Sequence, residues 1–218
     1  MFTALTITIF SLIVLLFSVM IHELAHGYVA YSLGDPTAKY EGRLTLNPLK
    51  HLDVFGSIIL PLVLFITGSQ FLFGWAKPVP VNPYNFRDQK WGGVKVAIAG
   101  PLSNFGIAIV FGLLIRLFYL LPVQVGPQII PLIELLSFVV YMNILLGIFN
   151  LIPIPPLDGS WILFKFLPAS VEKVKMFFQQ YGFIILIFVL FSGALDGMYF
   201  FINLLFYFIT GTYFLGFN

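Results

Sequence analysis

The sequence predicts a membrane all-α protein, a multi-pass helical bundle of about four to six membrane segments with a short β-hairpin or strand after the first helix. Three observations carry this expectation. Of the 218 residues 60% are hydrophobic and only 9% charged, against roughly 45–50% apolar and about 25% charged in an ordinary soluble domain. Long apolar runs cover 2–32, 56–74, 94–121, 131–152 and 181–217, and at least three exceed the ~20 residues needed to cross a bilayer. Between the first two runs the pattern changes to a strict alternation of period two. No polar stretch is long enough for a separate soluble domain, so residues 1–218 read as one membrane domain.

The first run, Phe2 to Ser32, has no Lys or Arg before it and carries ionisable residues near its far end, which is unlike a cleaved leader, so it is expected to stay in the protein. From Thr37 to Asn47, Ala38, Tyr40, Gly42, Leu44 and Leu46 alternate with polar side chains, the pattern of a strand. The run from Gly56 to Gly74 is flanked by basic segments on both sides. It is expected to re-enter rather than cross, as Gly56, Pro61 and Gly68 would permit in a segment shielded by protein, with a full crossing as the alternative. Gly74 to Pro83 is too rich in proline for a helix and reads as extended chain. The last run is interrupted at Ser192-Gly193 and Asp196-Gly197, giving either two short segments or one broken one.

Lys39, Arg43, Lys50, Lys77, Arg87, Lys90 and Lys95 lie between the first and third runs, and Lys165, Lys173 and Lys175 follow the fourth. The amino terminus and the stretch from Leu121 to Pro131 have none. The positive-inside rule therefore places both basic regions in the cytoplasm and the amino terminus outside. The formal charge of +2 is too small and scattered for a nucleic-acid surface. Cysteine is absent, which excludes disulfides, a thiolate nucleophile and thiolate metal ligands. Any metal must sit on His, Asp or Glu.

Near the end of the first run stands His22-Glu23-Leu24-Ala25-His26. Residues four apart on a helix share a face, so two imidazoles can converge on one ion. Catalytic zinc takes three protein ligands and a water, and an adjacent carboxylate outside the ligand set can remove the proton of that water. His-Glu-x-x-His supplies two ligands and the base in five residues. With three histidines in the chain, an accidental match is expected on the order of a few times in ten thousand. Ionisable residues in a span cost about 2.5–3.5 kcal/mol each on insertion scales, a heavy burden for a purely structural contact.

The third ligand must come from elsewhere in the chain. A metzincin would place glycine and histidine where Val29 and Ser32 stand, which excludes that subclass. The remaining candidates are Glu41, His51, Asp53, Glu134, Asp158 and Asp196. Glu41 and His51 fall in polar connections and read as solvated groups. Asp158 ends Asn150-Leu151-Ile152-Pro153-Ile154-Pro155-Pro156-Leu157-Asp158-Gly159, where prolines force the chain out of its helix and can aim a carboxylate inward. Taken by itself, a turn residue before Gly159 is the more natural role for it.

His22-Glu23-Leu24-Ala25-His26 followed by the Asn150 to Gly159 segment resembles the site-2 protease family of intramembrane metalloproteases. Ala99-Gly100-Pro101-Leu102-Ser103-Asn104 resembles that family too, as does Gly74-Trp75-Ala76-Lys77-Pro78-Val79-Pro80-Val81 its compact bacterial and archaeal branch. The resemblance covers about Ile21 to Gly159. It implies one zinc per chain on His22, His26 and Asp158, with Glu23 as catalytic base and Asn150 as the asparagine near the metal that steadies substrate or oxyanion. It also implies cleavage of a transmembrane protein substrate near the cytoplasmic face of the cell membrane. Many members carry a PDZ or CBS domain or an extra span before the His-Glu helix; none is visible here, so regulation through such domains is not expected.

Asn143, Gly147 and Asn150 share one helix face, as in a helix packed on a polar site, although ordinary interhelical bonding explains Asn143 as well. Gly100, Pro101 and Gly106 read as allowing close packing. The rival from another class is an ion- or proton-conducting transporter using the same ionisable residues. It would usually show internal repeats or polar positions on several spans; apart from Asn143 and Asn150 neither is seen.

Overall fold

The computed structural model describes residues 4–67, 76–120, 129–214 and 216. Helix α1 spans Ala4–Ser32, α2 Thr37–Tyr40, α3 Leu60–Ile66, α4 Gly92–Leu120, α5 Ile130–Asn150, α6 Gly159–Phe166, α7 Glu172–Phe191 and α8 Asp196–Thr210. Four of these, α1, α4, α5 and α7, are long and apolar enough to cross a membrane. In lipid only a helix or a closed barrel satisfies every backbone polar group of a spanning segment, and apolar side chains can face outward without penalty. That is the pattern seen: Leu12, Ile13, Leu113, Leu117, Ile184 and Phe188 are all exposed.

Helix α4 is the centre, packed against α1, α5, α6 and α8. It runs antiparallel to both α1 and α5, so that Asn104 faces Ser18 on one neighbour and Asn143 on the other. Ala108 and Ile115 of α4, Ile133, Val140 and Ile144 of α5, and Ile202 and Phe206 of α8 form the apolar core. Small residues set the helix spacing. A Cβ on Gly112 would lie 2.2 Å from Cγ2 of Ile209, and one on Gly147 would lie 2.8 Å from the Phe105 ring. Gly106 does not share this role, since a Cβ there meets nothing within 4 Å.

The strand or hairpin expected at Thr37–Asn47 is not formed; among the described residues there is no β-strand. The alternation fails because local bonds satisfy the backbone first. Asp35 accepts from the Thr37 amide and hydroxyl, α2 follows, and Gly42 turns the chain at φ +64° so that the Arg43 amide reaches the Ala38 carbonyl at 2.9 Å. The two supposed faces do not sort by burial either. Tyr40 and Leu46 are 82% and 69% exposed, whereas Arg43, from the polar set, is buried with its guanidinium on the carbonyls of Lys50 and Lys77.

The second apolar run begins within a π-helical segment, Val54–Ile59, and continues as α3. Its remainder, with the choice between crossing and re-entry, lies outside the described residues, as do Gly74, Trp75 and residues 121–128. Ala76–Asn82 is neither helix nor strand, in keeping with its prolines, and ends in extended backbone at Asn82. The broken last run separates into α7 and α8, joined by a turn in which Gly193 takes φ +74°.

Candidate metal centre

On α1, His22 and His26 lie one turn apart, both buried, with ring centroids 4.6 Å from each other. Asp158 arrives from the connection between α5 and α6. Its tight reversal depends on Gly159, where a Cβ would sit 2.1 Å from the Leu151 carbonyl oxygen. Local bonds stiffen the loop, including Leu157 N–H to the Ile154 carbonyl at 3.0 Å and the Ser160 hydroxyl to the Leu157 carbonyl at 2.7 Å. Although Asp158 occupies the N-cap position of α6, its side chain caps nothing. The turn role considered from sequence therefore leaves its carboxylate unexplained. That carboxylate points back at α1, with Oδ2 3.0 Å from His22 Nε2 and 3.3 Å from His26 Nε2.

The proton positions follow from the outer partners. His26 Nδ1 lies 2.7 Å from the Val96 carbonyl oxygen, which can only accept, so the proton is on Nδ1. Asn104 uses its amide N–H groups on Asn143 Oδ1 and the Ser18 carbonyl, so its Oδ1, 2.7 Å from His22 Nδ1, accepts as well. Asn143 in turn donates to the Ser18 hydroxyl at 2.9 Å. In the neutral imidazoles both inner nitrogens then present lone pairs, and they are 3.0 Å apart. Asp158 Oδ2, buried, has no hydrogen-bond donor among the described residues. Three electron-rich atoms facing one another without a proton repel unless a cation lies between them.

Zinc fits this donor set. Bond lengths of about 2.0–2.2 Å to nitrogen and oxygen at tetrahedral angles place neighbouring ligand atoms ~3.3 Å apart, close to the three separations seen here. Fixing the ligand tautomer through an outer hydrogen bond is the usual arrangement at such sites. Among the described residues this is the one cluster of His, Asp or Glu whose ligand atoms converge, within 4.8 Å.

Glu23 is half-buried beside the pair. Its Oε2 accepts from the Val79 amide at 2.7 Å, which ties the carboxylate to the Ala76–Asn82 segment and leaves Oε1 unclaimed among the described residues. His22, Glu23, His26, Asn150, Asp158 and Trp161 all line one cavity of about 310 Å³. Asn150 is the last residue of α5, and its amide donates to Leu146 of its own helix at 3.0 Å. No second partner for that amide is found among the described residues.

The sequence model described as Peptidase family M50 matches residues 119–192, the stretch that contains Asn150 and Asp158. A Bacillus subtilis protein named "Putative zinc metalloprotease YwhC" is 42% identical over 174 residues, covering 79% of this chain and 76% of that one. The chain belongs to peptidase family M50, the site-2 protease family. The M50 relationship extends to a Mycolicibacterium smegmatis protein named "Putative zinc metalloprotease Rip2", 28% identical over 185 residues, 85% of this chain and 68% of that one. No solved structure matches the chain.

The other third-ligand candidates of this M50 chain lie apart from the cluster. Glu41 and Asp196 are exposed. Asp53 accepts from the Gly56 amide at 2.7 Å, and buried His51 bonds the Thr45 carbonyl at 2.8 Å through Nε2. Glu134 lies sixteen residues before the end of α5, about 24 Å away along the helix axis.

Sequence reasoning missed the outer ring of the site. Asn104 entered only through a resemblance and Ser18 did not enter, yet with Asn143 they hold His22. Their signal was present as three polar residues inside apolar runs, which in lipid must find partners. Gly100 is a further case. A Cβ on it would fall 2.4–2.5 Å from atoms of both imidazoles, so its hydrogen is what lets α4 cover the two histidines.

Proposed function

We propose that this M50 peptidase is a zinc metalloendopeptidase, a single membrane domain over residues 1–218, that cuts transmembrane protein substrates within or near their membrane segments. His22, His26 and Asp158 hold one zinc ion per chain, Glu23 is the base, and Asn150 is the auxiliary amide. The observation that carries the reading is the convergence of His22 Nε2, His26 Nε2 and Asp158 Oδ2 beside a carboxylate whose Oε1 has no partner among the described residues.

Zinc in such a site polarises a carbonyl and makes a water acidic enough to be deprotonated near neutral pH. The chain's own groups do the rest. The Val79 amide orients Glu23 so that Oε1 accepts the water's proton and returns it to the leaving amine. Asn150, on the cavity wall, has an N–H to offer the oxyanion. Peptide bonds in a helix are covered by their own hydrogen bonds, so the substrate must unwind locally to present one. The Thr37–Asn47 segment forms no strand to pair with it.

Depth and orientation support the location. His22 stands ten residues before the end of α1 and Gly100 eight after the start of α4, which is about 12–15 Å from the basic face. That face is cytoplasmic by the positive-inside rule, in a cell membrane, so water has only part of the bilayer to traverse. The transporter alternative loses its footing, because Ser18, Asn104 and Asn143 are bonded to one another and to His22 instead of lining a path.

Purified Glu23→Gln is expected to retain about one zinc per chain by elemental analysis and to lose cleavage of a membrane-embedded peptide by at least 10³-fold. Asp158→Asn is expected to lose both. Persistent cleavage by Glu23→Gln would remove the base, and unchanged zinc content in Asp158→Asn would remove the third ligand.

A further inference from the structure

Beside the catalytic cavity lies a second, larger one of about 610 Å³. The two share walls: Pro83, Phe86, Gly93, Pro156 and Trp161 line both. Trp161 is the divider. It is 53% exposed, and its ring packs on α4 at Gly93, where a Cβ would be 3.2 Å from its Cε3. A chain leaving the metal site past Trp161 enters this groove directly.

The groove is basic. Lys90, Lys165 and Lys175 come to it from the loop before α4, from α6 and from α7, with the Gln179 amide beside them. Nearby carboxylates neutralise it only in part. Asp88 is taken by Lys95 at 2.6 Å, and Glu172 pairs with Lys175 at 3.5 Å on an exposed helix turn. Lys90 and Lys165 have no carboxylate partner among the described residues. Both instead lie over the Trp91 ring, at 6.0 and 5.3 Å from its centroid, an arrangement that holds two like charges at the groove.

We propose that this groove receives an extended acidic segment of the substrate, the flank that emerges from the catalytic cavity on the basic face, and that Lys90, Lys165 and Lys175 select substrates by that charge. This rests on the proteolytic reading above. The flanks of most membrane segments on the cytoplasmic side are rich in Lys and Arg. Three lysines beside the exit repel those and admit an acidic minority, so the groove discriminates by repulsion as well as attraction. A lipid phosphate has complementary charge too, but the walls shared with the metal cavity favour a chain continuous with the one being cut.

The test uses the full zinc-loaded protein in neutral-lipid vesicles with one transmembrane peptide carrying four Asp, four Ser or four Lys on the flank at the basic face. Relative cleavage rates are expected to fall in that order, by about tenfold at each step in low salt, and to converge at 1 M salt. In Lys90→Glu/Lys165→Glu the order of Asp and Lys flanks should invert, with zinc content unchanged. Equal rates for all three flanks, with Glu23→Gln inactive on each, would overturn the groove's role and leave the protease standing. No cleavage of any flank would remove both readings. A rate that follows anionic lipid instead of flank charge, and loses that dependence in the double variant, would assign the groove to a headgroup and overturn the inference.

Discussion

At the residue scale, the hydrogen bonds behind the proposed ligands matter as much as those ligands. His22 is aimed by Asn104, which is itself held by Asn143 and the Ser18 carbonyl. Replacing Asn104 with Ala leaves a buried ring N–H without an acceptor and frees the imidazole to rotate or change tautomer. Zinc affinity, measured by competition with a chelator, is expected to drop by about 10–100-fold while the helical content is kept. Gly100→Ala fails differently. Its methyl would collide with both rings at 2.4–2.5 Å, so α4 must withdraw, and zinc is expected to be lost together with some stability. Unchanged affinity in Asn104→Ala would mean that packing alone orients His22.

At the scale of elements, glycines of similar appearance in the sequence divide into different roles. Gly112 marks the α4–α8 contact, where a Cβ meets the stiff branch of Ile209, whereas Gly106 faces open space. Gly112→Leu is expected to cost about 1–3 kcal/mol through overpacking, and Gly106→Ala to be neutral or stabilising by up to about 1 kcal/mol. Thermal unfolding in detergent compares the two directly. A polar clamp joins the end of α1 to the loop before α4. Burial pushes the Asp35 carboxyl up, but hydrogen bonds from Thr37, Asn85 and the Asn82 amide outweigh it and hold the group below the ordinary carboxylate range. A depressed folded-state pKa gives stability that is present above the ordinary value of about 3.9 and is lost as pH falls through the folded value. Protection of the Thr37 and Asn82 amides, the ratio of intrinsic to observed hydrogen-exchange rate, is expected to fall as pH drops below the ordinary carboxylate range in the wild type and to be low at every pH in Asp35→Ala.

For the whole molecule, orientation decides which side supplies water and which receives product. The carboxyl ends of α1 and α5 and the amino end of α4 lie together with the basic loops. The chain has no cysteine, so single cysteines introduced at exposed Lys39, Lys90 or Lys173 report topology without background. All three are expected to react with a membrane-impermeant maleimide only after the inner face is opened, and a cysteine at exposed Leu5 to react from outside. Labelling of Lys90→Cys in intact cells would reverse the assignment and place the groove on the outer side.

What the sequence determined by itself is whatever rests on local chemistry or bulk composition. Sixty per cent apolar residues can be satisfied only as lipid-facing helices, and histidines four apart with a glutamate between them converge on any helix. Tertiary structure decided the rest. A proline-rich loop states that Asp158 leaves its helix but not where the carboxylate points, and the side chain's distance to His22 depends on how α5 and α6 sit against α1. Asn104 was a polar residue in an apolar run until packing set it against His22. The alternation at Thr37–Asn47 misled because period two carries no knowledge of a partner, and without a neighbouring strand the backbone bonds to itself in turns.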